Sequence, residues 1–343
     1  MQKKLHVMAC LGLSALLFAG FTTNNVTKAS PKNSVATSNA DQALIKTSSQ
    51  ESKGQEKSVF PEIADTTHAT KEVASIFHSF FTAKTMRDVN ATMSHFDPDN
   101  MVYYDATLGW PFLSFNALKS TLEQYMPTWA NGKSYPTRIL GDSNSAIVFF
   151  TDTPELFGNE IRIMGSVNFK EGKIVRWVDY WDGRTWPMGD LAKNQTPADK
   201  FPETLGEDTV EETASTVMRK VANKLNESFA NNDAAAAADL FSYDAVFEDM
   251  LRANIQGQLA ISRYLKRALK DLPYGSGASV RHVLGSDLGG GYEWRSDSRP
   301  VPRGNIALEL DADGKITRLT SIWDGSLLSD DAMASLVNLS IEE

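Results

Sequence analysis

Val73, Ile76, Phe77, Phe80 and Phe81 recur at helical spacing and predict a helix with one apolar face. A short second helix is predicted over 86–94 and a strand over 100–106. Phe115, Leu118, Leu122 and Tyr125 mark one side of a helix over 114–126. Apolar runs then predict strands at 135–141, 145–152, 160–170 and 173–182, parted by Asp142-Ser143-Asn144 and Glu171-Gly172-Lys173 turns. The same order returns further along. Met218, Val221, Leu225 and Phe229 form a helical stripe, the Ala234–Ala238 run follows, and a strand is predicted over 244–250. A helix over 257–271 and strands near 279–285, 291–296, 303–311 and 315–323 complete the second set.

Local sequence repeats with it. Val102-Tyr103-Tyr104-Asp105 is answered by Val246-Phe247-Glu248-Asp249, and Arg138-Ile139-Leu140-Gly141 by Arg281-His282-Val283-Leu284-Gly285. Gly172-Lys173-Ile174 with Trp181-Asp182-Gly183 is answered by Gly314-Lys315-Ile316 with Trp323-Asp324-Gly325. Three anchors in one order at a nearly constant offset indicate a duplicated domain, which tends to build a pseudo-dimer within the chain. Helices set against antiparallel strands define the α+β class.

Of the 343 residues, Lys3 and Lys4 precede an apolar run from Leu5 to Phe21, with Thr27-Lys28-Ala29 as a cleavage context. Residues 1–29 therefore read as a signal or targeting segment. Export, secreted or periplasmic, is the expectation; an organelle lumen reached by signal plus transit peptide is the alternative, since no Asp or Glu occurs before Asp41. No stable membrane insertion is expected after processing. Residues 30–64 are rich in Ser, Thr, Lys, Gln and Asn and are expected to be a disordered linker. The expected domains are 65–190 and 209–335, joined by a linker over 191–208 that carries Pro197 and Pro202. A net charge of −9 argues against a nucleic-acid partner. The one cysteine, Cys10, lies in the targeting segment, and His68, His78, His95 and His282 lack paired ligand spacing, so no metal and no cofactor is expected.

The order of elements, the Asp that ends the first strand and the Gly-Lys-Ile…Trp-Asp of the last strand resemble the nuclear transport factor two-like superfamily. The SnoaL-like polyketide cyclases and ketosteroid isomerases are the nearest branches of that resemblance. It implies two tandem cone-shaped domains, each a curled antiparallel sheet wrapped around helices and enclosing an apolar cavity. It also implies a general base at Asp105 and at Asp249, the place of the isomerase Asp. The isomerase oxyanion hole has no counterpart: its Tyr position falls near Phe80, Phe81 or Leu225, and the later strands offer Ile161, Met164 and Val167 or Ile306, Ala307 and Leu308. Asp182 and Asp324 match a cyclase last-strand Asp, but Asn168 and Leu310 stand where its His is needed. An Asp before Gly also fixes turns, so a structural role competes at both.

Strand alternation puts Tyr103 with Asp105, and Val175, Trp177, Asp179 and Trp181 on one face, where the second copy has Leu319, Ser321 and Trp323. Asp179 is thus an extra acid between two indoles. The candidate catalytic residues are Asp105, Asp179, Asp182 and Asp249. Candidate substrate-binding residues are Tyr103, Trp110, Trp177, Trp181, Phe247 and Trp294. The expected function is acid–base chemistry (cyclisation, isomerisation or epoxide opening) on a hydrophobic, oxygenated small molecule. The alternative is a non-enzymatic carrier or sensor of a lipid, isoprenoid or pigment.

Overall fold

The computed structural model describes residues 58–250 and 252–341. In the first half, Thr70 caps α1 (Lys71–Met86) by accepting from Val73 N, and Asp88 caps α2 (Val89–Met93). The strand β1 (Val102–Asp105) turns back into a short β2 (Trp110–Phe112), followed by α3 (Phe115–Tyr125). A four-strand meander follows: β3 (Ser134–Gly141), β4 (Ser145–Asp152), the single turn α4 (Pro154–Phe157), β5 (Ile161–Lys170) and β6 (Lys173–Trp181). The connecting segment contains α5 (Met188–Asn194) and two short helical turns, and Leu191 and Leu205 bury it against the body.

The second half repeats the plan with α6 (Thr216–Ala230), α7 (Ala234–Ala238), β7 (Phe241–Asp249), β8 (Ala253–Gln256) and α8 (Gln258–Ala268). Its meander is β9 (Ala278–Gly285), β10 (Gly289–Ser296), β11 (Arg303–Leu310) and β12 (Ile316–Trp323), closed by α9 (Asp330–Leu339). The strands run β2-β1-β6-β5-β4-β3 and β8-β7-β12-β11-β10-β9. Each half is thus a six-stranded sheet with helices, in the α+β class expected.

Three details differ from the sequence reading. Each sheet is mixed rather than wholly antiparallel, because β1 pairs with β6 and β7 with β12 in parallel. Such a pair needs a long crossover, and in the first half α3 with four strands, β2 to β5, provides it. The edge strands β2 and β8 are too short to show a period, and β2 carries Pro111, a residue suited to an edge. Helix α9, capped by Ser329 with Asp330 and Asp331 in its first turn, runs past the boundary expected at 335.

The targeting segment lies outside the described residues, as does most of the expected disordered linker. The last part of that linker is described: Phe60 is buried and packs on Tyr135 and His78. Among the described residues, no helix is long and apolar enough to cross a membrane.

Polar and charged groups meet between the two sheets. Arg176, fully buried, reaches Glu293 at 2.6 Å and the Leu205 carbonyl at 2.9 Å. His282 meets Asn168 at 3.0 Å, Asn305 donates to Ser166 at 2.8 Å, and Arg138 pairs with Glu309 at 2.9 Å. Burial and Arg176 push the His282 imidazole down to about 3, so it is neutral at physiological pH. The turns after the two last strands exchange caps. Asp182 accepts from Gly325 N and Asp324 from Gly183 N, both at 3.0 Å.

Candidate functional site

The parallel pairing of β1 with β6 places Tyr103 beside Trp177 and Asp105 beside Asp179. Both carboxylates face the interior, each about 6% exposed. The Oδ1 atom of Asp105 accepts from Thr107 N at 2.9 Å and Leu108 N at 2.7 Å, an Asx turn at the strand end. Its Oδ2 accepts from the Trp181 indole at 2.9 Å. Asp179 accepts from the Trp177 indole at 2.6 Å through Oδ1 and from the Tyr103 hydroxyl through Oδ2. Among the described residues neither carboxylate forms an ion pair.

Removal from water disfavours a carboxylate and raises its pKa, and two adjacent acids raise each other further. Burial, with a contribution from Asp179, lifts Asp105 to about 7. Burial lifts Asp179 to about 6, against the opposing pull of Tyr103, Trp177 and the Lys84 ammonium. Near neutral pH the pair therefore holds about one proton between two carboxyl groups. That suits proton transfer, which works best when the group titrates close to working pH.

Aromatic rings wall this pair. Trp177 lies tilted against Phe80 at 4.8 Å, with Phe77, Phe96, Phe150 and Tyr103 within 6.4 Å of its centroid. Trp110 pairs opposite Asp105 across β1–β2 and donates from its indole to the Asn194 carbonyl of the connecting segment.

One pair of charges went unpredicted. Lys84, in the last turn of α1, is buried and reaches Asp152 on β4 at 3.3 Å, with its ammonium 4.8 Å from the Phe150 ring centroid. The signal was present, since Lys84 continues the buried face of Phe77, Phe80 and Phe81 at helical spacing.

The remaining candidates lie elsewhere. Asp182 belongs to the turn exchange and pairs at 2.5 Å with Arg252 of the second half. Asp249 accepts from the Trp323 indole at 3.0 Å, as Asp105 does from Trp181, but it also pairs with Arg252 at 3.0 Å. Arg252 in turn lies 3.6 Å above the Trp323 ring. Burial still raises Asp249, and Arg252 opposes it. Ser321 stands beside Asp249 where Asp179 stands beside Asp105. Phe247 packs against Phe241 and Tyr264, and Trp294 against Tyr274, all inside the second core. The structure thus gathers Tyr103, Asp105, Trp177, Asp179 and Trp181, with Trp110 at their edge, and leaves Asp182, Asp249, Phe247 and Trp294 apart. Among the described residues no group of three or more His, Cys, Asp or Glu is arranged to hold a metal ion.

Strand order, helix placement and the acid at the end of the first strand agree with the resemblance drawn from the sequence. Each half resembles the nuclear transport factor two-like fold. No family model matches the chain, and no curated protein does. Among solved structures, an NTF2-like protein of unknown function from Cytophaga hutchinsonii is 14% identical, covering 32% of this chain and 90% of its own, with a TM-score of 0.28. A steroid delta-isomerase from Pseudomonas aeruginosa is 17% identical, covering 38% of this chain and 93% of its own, at 0.29. An LEH-like epoxide hydrolase of M. tuberculosis is 18% identical, covering 36% and 92%, at 0.30.

Proposed function

We propose that the first half performs acid–base catalysis on an apolar, oxygenated small molecule, in a cyclisation, an isomerisation or the opening of an epoxide. One observation carries this reading: two buried carboxyl groups on neighbouring strands titrate near neutrality with no cation bound to either. Asp105 is the general base, its turn amides and the Trp181 indole holding it in place. Asp179 is the assisting acid, and the Tyr103 hydroxyl that donates to it stabilises its charged form. The Lys84 ammonium supplies the positive field that the isomerase-like oxyanion donors would otherwise provide. The second half is a structural partner, and the two halves form a pseudo-dimer within an exported chain.

A carrier of a hydrophobic ligand is the second reading. It is favoured by one feature: all four carboxylate oxygens already accept hydrogen bonds from the protein. The test is co-purification of the mature protein with extracted small molecules, followed by mass spectrometry. A species converted by wild type but not by Asp105→Asn supports catalysis. A species bound alike by both proteins and converted by neither overturns it in favour of carriage.

A further inference from the structure

A second site stands where the two halves and their connecting segment meet. A cavity of about 350 Å³ lies there, with Thr107, Gln195, Phe201, Pro300, Arg303 and Asp324 among its lining residues. That volume is within the range of small-molecule sites, which favour domain junctions. The connecting segment is pinned as one wall. Gln195 donates to the Thr107 carbonyl at 2.9 Å, and Thr196 donates from its amide to the Leu108 carbonyl and from its hydroxyl to the Gly109 carbonyl, both at 2.8 Å. Phe201 lies so close to Gly109 that a Cβ there would come within 2.4 Å of its ring.

Two polar groups that line the cavity from the second half have capacity to spare. The Arg303 guanidinium lies 3.6 Å above the Phe201 ring, and its Nη1 is buried with no hydrogen-bond partner. Among the described residues it forms no ion pair. A buried donor left unpaired is costly, and a guanidinium is matched best by a carboxylate or phosphate. Burial pushes Arg303 down to about 10, still charged at neutral pH. Asp324 Oδ1 accepts from the Gly183 and Ser326 amides, and Oδ2 has a long, 3.5 Å contact from Gln195. The cavity is thus lined by a cation with an unpaired donor and by a carboxylate with one weakly engaged oxygen, beside apolar Phe201, Pro300 and Leu327.

We propose that the junction cavity binds a small organic acid with an apolar body, its carboxylate paired with Arg303 and an adjacent hydroxyl or amino group donating to Asp324. This site is separate from the Asp105–Asp179 pair and meets it only through the Asp105 cap on Thr107. Calorimetric titration of the full chain with 3-phenyllactate and phenylalanine tests it. The expected result is saturable binding of at least one, weakened about tenfold or more by Arg303→Met, in line with loss of a charged hydrogen bond. Ala198→Phe, at an exposed position of the cavity wall, should weaken it comparably, and decides the matter alone if Arg303→Met does not fold. Absence of saturable binding by both compounds overturns the proposal, as does an affinity indifferent to Ala198→Phe. Equal binding of 3-phenylpropionate, which lacks the donor, removes Asp324 from it.

Discussion

The two halves share one plan but treat buried charge in opposite ways. Trp181 donates to Asp105 as Trp323 donates to Asp249, so the strand-end acid and its indole are common to both. In the first half that acid has Asp179 for a neighbour. In the second it has Ser321, and Arg252 neutralises it. The contrast extends to α1 and α6. Thr70 and Ser215 cap these helices 145 residues apart, so Phe229 stands where Lys84 does. Across the two sheets, β4 and β10 begin at Ser145 and Gly289, which sets Ser296 where Asp152 stands. One interior holds three acids and a lysine; the other satisfies its single acid and fills the rest with neutral side chains. Burying unmatched charge costs stability, and only the first copy carries that cost beside its strand-end acid.

This contrast is open to attack at several points. The largest expected effect is on turnover. Asp105→Asn should lower conversion of the co-purified species by at least about 100-fold, the scale of a general base, while Asp249→Asn leaves it near wild type. Equal losses in single-turnover assays would abolish the distinction between the halves.

Next comes Arg252→Met, which leaves Asp249 and Asp182 buried without their cation. Breaking a buried pair from one side costs about 3–5 kcal/mol, readable by urea denaturation. The loss should shrink at acid pH, because burial raises the Asp249 carboxyl and makes it readily protonated there.

The acid pair itself makes stability depend on pH. Asp105 titrates at about 7 folded, against about 3.9 in an unfolded chain. The folded state therefore binds the proton more tightly, and this group favours folding at low pH. Its contribution declines from about pH 4 and levels off above pH 7, by about 4 kcal/mol in all. Denaturation midpoints of Asp105→Asn should be flatter over that window. A wild-type midpoint that rises from pH 5 to pH 8 while the variant follows it unchanged would contradict the burial argument.

The smallest effect sharpens the symmetry. Trp181→Phe and Trp323→Phe each remove one indole hydrogen bond, worth about 1 kcal/mol. Only Trp181→Phe should move a titration near neutrality, raising that of Asp105, because Arg252 still holds Asp249. Carboxyl titration followed by NMR reads this directly.

Much of this was legible in the sequence. The duplicated pattern placed the meander strands to within a residue or two, because each copy corrected the other. Strand alternation grouped Tyr103 with Asp105 and Trp177 with Asp179 and Trp181, and the parallel register then set the two groups side by side. What escaped was decided by packing across distant segments. Lys84 and Asp152 are 68 residues apart, and nothing local joins them. Arg252 could have been found: it follows Asp249 by three residues, where Asp105 is followed by Leu108, and that mismatch between copies signals a neutralised acid. Asp182 carried the marks of both a catalytic and a turn-forming residue, and only its partners Gly325 and Arg252 show which groups it serves.

The exchanged caps have a consequence for how such a chain can change over time. Because Asp182 secures the turn at Gly325 and Asp324 secures the one at Gly183, neither copy can be discarded without loosening the end of the other's last strand. In the first copy that strand is the one bearing Asp179. The second copy thereby braces the first, and its interior can drift while its rim stays fixed.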